Sequence, residues 1–328
     1  MKHKKLIIIL SSICLFFLII LIGYFFGYKT TVKRGYKEFY NSTESLFKIP
    51  GLDTNYVPQA ISYNDAYELF VIAGYDSEDE PSYLYLLDKT GKEVKKVAIK
   101  LEDGSFYNGH AGGVISFNDI IFVSSGKKVY KISVQRVLDS NGVVDCDAVT
   151  KVDVSGATMF VYNNYLFVTE FYEDTKYQTD VSHHLTTPTN QLNKALAFGY
   201  EIDENNISGI KSNEAKIVLS IPEKIQGVVV RGNTLVLSQS FGRFNDSKIL
   251  TYNNILSSDT TYTFNHNGND LPLYYLDDSS LISSLHSPSM TEGVCLYNNK
   301  VLVLFESSAK KYKFTCKCPV DKVYMINE

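Results

Sequence analysis

The chain has 328 residues, of which 45% are hydrophobic and 21% charged, and its aromatic residues are 24 Tyr and 19 Phe with no Trp. A chain this apolar can bury enough surface to offset the entropy lost on ordering, which excludes disorder over most of its length. With only 20 Gly and 8 Pro, it is not a collagen-like or low-complexity chain. The net charge of -4 argues against nucleic acid as a partner, because phosphate binding needs a basic surface.

An apolar stretch over residues 6–28 follows a short basic tail that contains Lys2, Lys4 and Lys5 and no acidic residue. About 20 apolar residues span a bilayer as a helix, whereas a cleaved signal peptide has a shorter apolar region and a small-x-small cleavage site. The sequence therefore predicts that residues 1–28 form a cytoplasmic tail and a transmembrane signal anchor, with residues 29–47 as a linker. We expect a single-pass protein of the cell membrane whose C-terminal domain is extracytoplasmic.

Five cysteines are spread over the chain, and two of them, Cys316 and Cys318, form a Cys-x-Cys pair. No second pair of Cys or His stands at the spacing of a zinc site. We therefore expect buried thiols, with or without one disulfide, and the sequence leaves the pairing open.

One hairpin pattern recurs five times beyond the apolar stretch. In each copy a short apolar strand, a tight turn of Asn, Asp or Gly, and a second apolar strand follow one another. Asn, Asp and Gly suit these turns because the turns require positive φ. The hairpins cover residues 59–73, 113–125, 158–170, 226–238 and 292–306.

Further strand signals follow the hairpins, and fourth strands fit residues 94–101, 148–154 and 215–221. Strands in this order, in units of roughly 40–65 residues, indicate the blades of a β-propeller. The predicted fold is all-β, a propeller over residues 48–328 that most simply has five blades. A sixth blade stays open, from residues 257–288 or from residues 36–52 with a C-terminal strand. A β-sandwich is the alternative, but it would not explain the repetition.

The repeated hairpin resembles the extracellular β-propeller class that includes lactonase-like and nucleotidase-like enzymes. The resemblance covers residues 48–328 and rests on the repeat alone, so it implies a fold and no functional residue. We expect a monomeric domain.

In a propeller, residues just before the first strand and just after the second strand of each hairpin gather at one end of the axis, here called the axial mouth. The turn ends lie opposite and carry only turn residues such as Asn64 and Asn298. The mouth ends carry carboxylates, a His and other polar side chains, which are costly to bury unless paired, hydrated or coordinated. The sequence therefore predicts a site for a small polar ligand or a cell-wall fragment. The predicted ligand-binding residues are Gln59, Tyr75, Tyr172, Gln226, Ser238, Ser240, Arg243 and Ser307.

Two chemistries fit these residue types. In the first, Glu170, Glu292 and Glu306 hold Ca²⁺ or a similar hard cation, which prefers oxygen ligands and can activate water. In the second, His110 and Glu170 act as catalytic acid and base, while Arg243 neutralises an anionic group of the substrate. Histidine suits this role because its pKa lies near neutrality.

A long loop over residues 173–194 should overhang the mouth, and it contains His183 and His184. We interpret it as a solvated insertion, with a lid or a metal-binding pair as the alternative. Three classes of function stay open. The leading interpretation is a membrane-anchored extracytoplasmic propeller that binds a small polar ligand. A metal-assisted hydrolase or lyase is the first alternative, and a protein-interaction scaffold that uses the outer surface is the second.

Overall fold

The N-terminal part of the chain is helical. The computed structural model describes residues 2–78 and 80–327, except for the side chains of residues 2–3, 5–8 and 24–32. Helix α1 spans Lys2–Gly35, and its described large apolar side chains, from Ile9 to Ile22, are exposed. Within the described residues, no helix combines the length and apolarity needed to cross a membrane, so the predicted transmembrane helix is not supported. Residues 6–8 and 24–28 of the predicted anchor lie outside the described side chains.

Five of the six sheets among the described residues are arranged as blades, and their innermost strands contact one another in a closed ring. The first blade contains β2 (Tyr56–Asn64), β3 (Leu69–Asp76), β4 (Tyr83–Leu87), β5 (Glu93–Lys100) and a parallel edge strand β9 (Val143–Asp145). The second contains β6 (Gly113–Phe117), β7 (Ile120–Ser125), β8 (Lys128–Ser133) and β10 (Ala148–Lys151), with helix α3 (Val134–Asp139) after β8.

The remaining blades follow the same order from the axis outward. The third contains β11 (Thr158–Tyr162), β12 (Tyr165–Thr169), β15 (Ala195–Glu201), β16 (Ile217–Ile221), β21 (Asn269–Tyr275) and β20 (Thr263–His266). The fourth contains β17 (Ile225–Arg231), β18 (Thr234–Gln239), β19 (Ser247–Asn253) and β22 (Leu281–Ser287). The fifth contains β23 (Thr291–Tyr297), β24 (Lys300–Phe305), β25 (Lys322–Ile326) and β1 (Thr43–Lys48). A separate small hairpin pairs β13 (Leu185–Thr186) with β14 (Leu192–Asn193).

Strands from distant parts of the chain close the ring within the fifth blade. β1 pairs antiparallel with β25, with Thr43 opposite Ile326. Helix α2 (Lys37–Ser42) precedes β1, and its buried Phe39 packs against Phe305 at 5.8 Å between ring centroids. The propeller therefore begins at residue 43, inside the segment that the sequence assigned to a linker, because the last blade takes its outer strand from there.

The prediction of five blades is confirmed, and the two alternatives for a sixth are wrong. Residues 257–288 supply β20 and β21, which extend the third blade, and β22, which is the outer strand of the fourth. The predicted fourth strands are present as β5, β10 and β16. A β-sandwich is excluded because the five inner strands form a ring rather than two facing sheets.

Aromatic side chains fill the space between neighbouring blades, as expected of a chain without Trp. Phe70 of the first blade is fully buried and lies 4.9 Å from Phe47 and 5.0 Å from Tyr297, both in or beside the fifth blade. In the third blade, Phe160 and Phe167 stack at 4.5 Å. The contacts of Phe70 join sheets that share no hydrogen-bonded strands, so they help to hold the ring together.

All five cysteines are free thiols, so the structure contains no disulfide among the described residues. The Cys316 thiol donates to the carbonyl of Ser307 at 3.1 Å, and Cys318 is buried. Burial raises the pKa of Cys316 to about 11 and also raises the pKa of Cys318. The Cys-x-Cys pair is therefore a protonated, packed element of the loop between β24 and β25.

Small residues let the inner strands approach one another at the axis. A Cβ added at Gly293 would lie 2.8 Å from the backbone of Ala60, and one at Gly227 would lie 2.7 Å from the backbone of Val294. Real Cβ atoms essentially never come this close to a backbone atom. The fifth blade is thus pressed between the fourth and the first, with no room at these positions for a side chain.

Candidate functional site

Three β-bulges place polar side chains at the axial mouth. The inner strands of the first, fourth and fifth blades each shift register near their first residues, at Gln59, Gln226 and Glu292. A bulge re-aims the side chain of the extra residue and is common beside binding sites. Because the same irregularity recurs at the same end of three blades, these side chains converge at the mouth.

Glu292 and Glu306 form a carboxyl pair at the centre of this group. Glu292 is 3% exposed, and Glu306 is the half-buried residue directly after β24. Their side chains hydrogen-bond to each other. Gln59 donates from Nε2 to Glu306 Oε2 at 3.0 Å, and Gln226 approaches Glu292 Oε1 at 3.5 Å. The structure therefore brings four of the predicted mouth residues into one hydrogen-bonded cluster.

Burial and mutual repulsion change the proton affinity of this pair. Burial raises the pKa of Glu292 well above its usual value, and the charge of Glu306 raises it further. Burial also raises the pKa of Glu306 to about 7, against the opposing effects of hydrogen bonds from Gln59 and Glu292 and the charges of Lys311 and Arg243. Two carboxylates this close cannot both ionise easily, so the pair retains a proton near neutral pH.

Five side chains surround the carboxyl pair and are here called the rim cluster: Tyr75, His110, Arg243, Lys311 and Tyr312. The hydroxyls of Tyr75 and Tyr312 lie 3.0 Å apart, and Lys311 Nζ donates to the Tyr75 hydroxyl at 3.0 Å. Arg243 lies over the Tyr312 ring at 4.8 Å from its centroid. The cluster thus combines two tyrosine side chains with two cations beside a buried carboxyl pair.

His110 belongs to the rim cluster but does not contact a carboxylate. Its ring lies 4.3 Å from that of Tyr75, and its Nδ1 donates to Gln59 Oε1 at 3.3 Å. Desolvation lowers the pKa of His110, and the charge of Lys311 lowers it further. Because Gln59 also donates to Glu306, one amide links the imidazole to the carboxyl pair.

Glu170 and Tyr172 lie in a different group of contacts. Glu170 accepts from His183 Nδ1 at 3.0 Å and from the backbone N–H of Leu196 at 3.0 Å. Tyr172 donates to Asp174 at 2.8 Å. His110 and Glu170 thus have separate partners, and their roles as catalytic acid and base stay a prediction. Residues 173–194 are not simply solvated, since His183 ties this loop to the third blade.

No group of three or more His, Cys, Asp or Glu side chains placed to hold a metal ion occurs among the residues that the structure describes. The predicted set of Glu170, Glu292 and Glu306 does not form such a group, since Glu170 binds His183 while the other two bind each other. Calcium binding at the mouth stays a prediction.

The three predicted serines are buried and have structural partners. Ser238 donates to the carbonyl of Glu292 at 2.5 Å and thereby fixes the bulge that carries the carboxylate. Ser240 accepts from Ser247 at 2.8 Å, and Ser307 accepts from the N–H of Val320 at 3.0 Å. Their hydroxyl groups thus hold neighbouring segments of the mouth together, and direct contact with a ligand stays a prediction.

Lys311 and Tyr312 are the site residues that the sequence did not single out. They lie in the loop between β24 and β25, which has no strand periodicity. Only their position in the chain could have indicated that they belong to the site, because this loop starts at Glu306 on the mouth side of the fifth blade. Lys311 is solvent-exposed, but its ammonium group reaches the Tyr75 hydroxyl.

Several buried hydroxyls at the mouth have no hydrogen-bond partner among the described residues. They include Ser124 and Thr169, which lie at the ends of β7 and β12, and Thr291, which begins β23. Buried hydroxyls cost free energy when they remain unpaired. The axial end of the ring therefore offers hydrogen-bonding capacity that the protein itself does not use.

Fold and site together define a five-bladed β-propeller with a polar axial mouth. No protein-family model matches the chain, and no curated protein matches it. Among solved structures, it is similar to hydrazine synthase of Kuenenia stuttgartiensis (11% identity, TM-score 0.41, covering 77% of this chain and 82% of that one). It is also similar to a putative oxidoreductase (glucose dehydrogenase) of Thermus thermophilus, with 9% identity and a TM-score of 0.39 over 86% of this chain and 98% of that one. A third similar structure is the Dos1 propeller, with 8% identity and a TM-score of 0.34 over 80% of this chain and 68% of that one. At these TM-scores the similarities carry no information about function.

Proposed function

We propose that the axial mouth binds a small polar ligand that presents hydroxyl groups to the carboxyl pair. The observation that carries this proposal is the buried Glu292–Glu306 pair, because such groups are costly to bury and contribute little to stability. A pair with one shared proton can both donate and accept, as a hydroxyl does. The amides of Gln59 and Gln226 add the same dual capacity.

Two further features support a ligand of this kind. The half-buried Tyr312 stands beside the pair, and the part of its ring that remains accessible offers apolar surface to the C–H face of a ring-shaped ligand. The unpaired hydroxyls of Ser124, Thr169 and Thr291 would gain partners from an occupant of the axis or from water that it orders. Monosaccharides, disaccharides and cell-wall fragments combine hydroxyls with such faces.

Ligand-observed NMR with a panel of neutral monosaccharides, sugar acids and cell-wall disaccharides tests this proposal. We expect saturation transfer from the protein to at least one member, and about tenfold weaker binding by Glu306→Gln, which removes a charged hydrogen-bond acceptor. The matched control is Glu93→Gln, an exposed carboxylate at the turn end of the first blade, which should bind as the unaltered protein does. Absence of binding across the panel, or equal binding by Glu306→Gln, would contradict the proposal.

A second candidate function is acid–base catalysis, as in a hydrolase or lyase. It is favoured by the pKa of Glu306, about 7, since proton transfer works best when the pKa lies near the working pH. The same NMR samples, kept with and without Ca²⁺, would report turnover as new product signals. Turnover that is lost in Glu306→Gln would support catalysis. A ligand that binds but whose spectrum does not change with time would indicate binding without catalysis.

Attachment to the cell membrane with an extracytoplasmic propeller stays part of the proposal. Its support is the apolar sequence of residues 6–28 and the exposure of the described apolar side chains from Ile9 to Ile22. We expect the full chain to sediment with membranes and the propeller to be cleaved by protease added to intact cells. A protein recovered in the soluble fraction, or a propeller protected until the cells are opened, would contradict this localisation.

A further inference from the structure

The rim cluster contains two cations without a carboxylate partner. Among the described residues, neither Arg243 nor Lys311 forms an ion pair with Asp or Glu. Two other lysines of the same loop do form one, Lys313 with Asp53 at 3.7 Å and Lys317 with Asp246 at 2.5 Å. Acidic side chains are therefore within reach of this loop, but Lys311 and Arg243 do not pair with them.

The carboxyl pair does not neutralise these two cations. An ionised carboxylate only accepts hydrogen bonds, so the hydrogen bond between Glu292 and Glu306 requires a proton on one of them. The pair then holds at most one negative charge beside the two positive charges of Lys311 and Arg243. Both cations are close enough to act on Glu306, so the carboxyl pair and these two cations together carry a surplus of at least one positive charge.

The two cations are also placed around one aromatic ring. Lys311 Nζ lies 5.3 Å and the Arg243 guanidinium 4.8 Å from the centroid of Tyr312. Arg243 uses one N–H for Thr315 at 3.1 Å, and a guanidinium has five such donors. A ligand whose ring lies against Tyr312 would therefore bring its substituents within reach of strong donors for an anionic group.

We propose that the ligand of the mouth is a sugar acid, a hydroxyl-bearing ring with one carboxylate. Its hydroxyls bind the carboxyl pair and Gln59, its ring lies against the accessible part of Tyr312, and its carboxylate binds Arg243 and Lys311. This inference rests on the proposed function and narrows it, because a neutral sugar would leave both cations without a partner.

Calorimetry with matched pairs of probes tests the inference, glucuronate against glucose and galacturonate against galactose, all with the full chain. We expect the acid of at least one pair to bind at least tenfold more tightly than its neutral partner. The preference should shrink when salt is raised, since rim charges are screened. It should fall severalfold in Arg243→Gln and in Lys311→Gln, whose side chains are exposed and whose loss should not affect folding.

Lys310→Gln is the matched control, because Lys310 is the exposed neighbour that contacts Asn55 rather than the rim cluster. It should keep the full preference for the acid. Equal or tighter binding of the neutral sugars, with loss in Glu306→Gln, would overturn the sugar acid and leave the proposed function standing. A preference that survives in both Arg243→Gln and Lys311→Gln would overturn the assigned carboxylate site. Failure of every probe to bind would overturn the sugar acid, whereas the proposed function would fall only if the full NMR panel also showed no binding.

Discussion

Stability is expected to decrease as the pH rises from about 4.5 to above 7, whereas carboxylates in ion pairs change stability at lower pH and in the opposite direction. The cause is the carboxyl pair, since burial raises the pKa of Glu306 to about 7 and that of Glu292 further above its usual value. A folded state with raised carboxyl pKa values binds more protons than the unfolded chain. The stabilisation is therefore fully present below the unfolded pKa, near 4.5, and is lost as the pH passes through the folded values.

The size of the stability change follows from the difference between the folded and unfolded pKa of Glu306. Each pKa unit corresponds to about 1.4 kcal/mol, so Glu306 alone would account for about 3 kcal/mol between pH 4.5 and 8. Partial burial raises the pKa of Asp246, but hydrogen bonds from Lys317, Tyr36 and His286 outweigh it and lower this pKa to about 2. Asp246 therefore loses its contribution only below this window. The lowered pKa of His110 acts in the opposite direction, because a histidine that binds protons more weakly in the folded state loses stability as the pH falls.

Urea denaturation at pH 5, 6.5 and 8 measures the trend, and Glu292→Gln identifies its origin. This variant keeps the shape and a hydrogen-bond donor but removes the repulsion, so Glu306 can ionise beside Gln59, Arg243 and Lys311. We expect its stability at pH 8 to exceed that of the unaltered protein by about 1–3 kcal/mol. Glu93→Gln should retain the original pH dependence. A stability that is flat over this range, or that falls equally in Glu292→Gln, would show that the pair does not retain its proton.

The blades could be predicted from sequence because each hairpin carries its own turn and strand signals. The outer strands were harder, since they are specified by partners far away in the chain. β1 is recognisable only through its pairing with β25, and β20 and β21 only through their addition to the third blade. Local periodicity contains no information about such pairings, which explains why the linker and the possible sixth blade were misassigned.

At the mouth too, the local sequence predicts the position of a residue, whereas its contacts depend on distant parts of the chain. Glu170 and Glu306 occupy equivalent positions, each directly after the second strand of its blade. The repeat therefore predicted both at the mouth, but it could not tell which way each side chain turns. Glu170 binds His183 from a loop of its own blade, whereas Glu306 meets Glu292 of its own blade and Gln59 of the neighbouring first blade. The direction depends on the neighbouring loops, which lack any repeat.

Gly293→Ala is expected to destabilise the protein by about 3 kcal/mol, at the upper end of the cost of overpacking. The added Cβ would lie 2.8 Å from Ala60 Cα and 2.8 Å from the backbone nitrogen of Ile61. Both are backbone atoms of the neighbouring inner strand and cannot move aside as a flexible side chain could. The conformation of Gly293 is not left-handed, so the substitution tests space rather than backbone strain.

Gly35→Ala is the matched control, because an added Cβ would have no neighbour within 4 Å there and the φ of Gly35 is also not left-handed. Urea denaturation should show a change within about 0.5 kcal/mol for this variant, as for most substitutions at open sites. Because Gly293 follows Glu292 in the same bulge, Gly293→Ala should also displace the carboxyl pair and weaken ligand binding. A Gly293→Ala protein of unaltered stability would mean that the inner strands are further apart at the axis than a closed five-bladed ring requires.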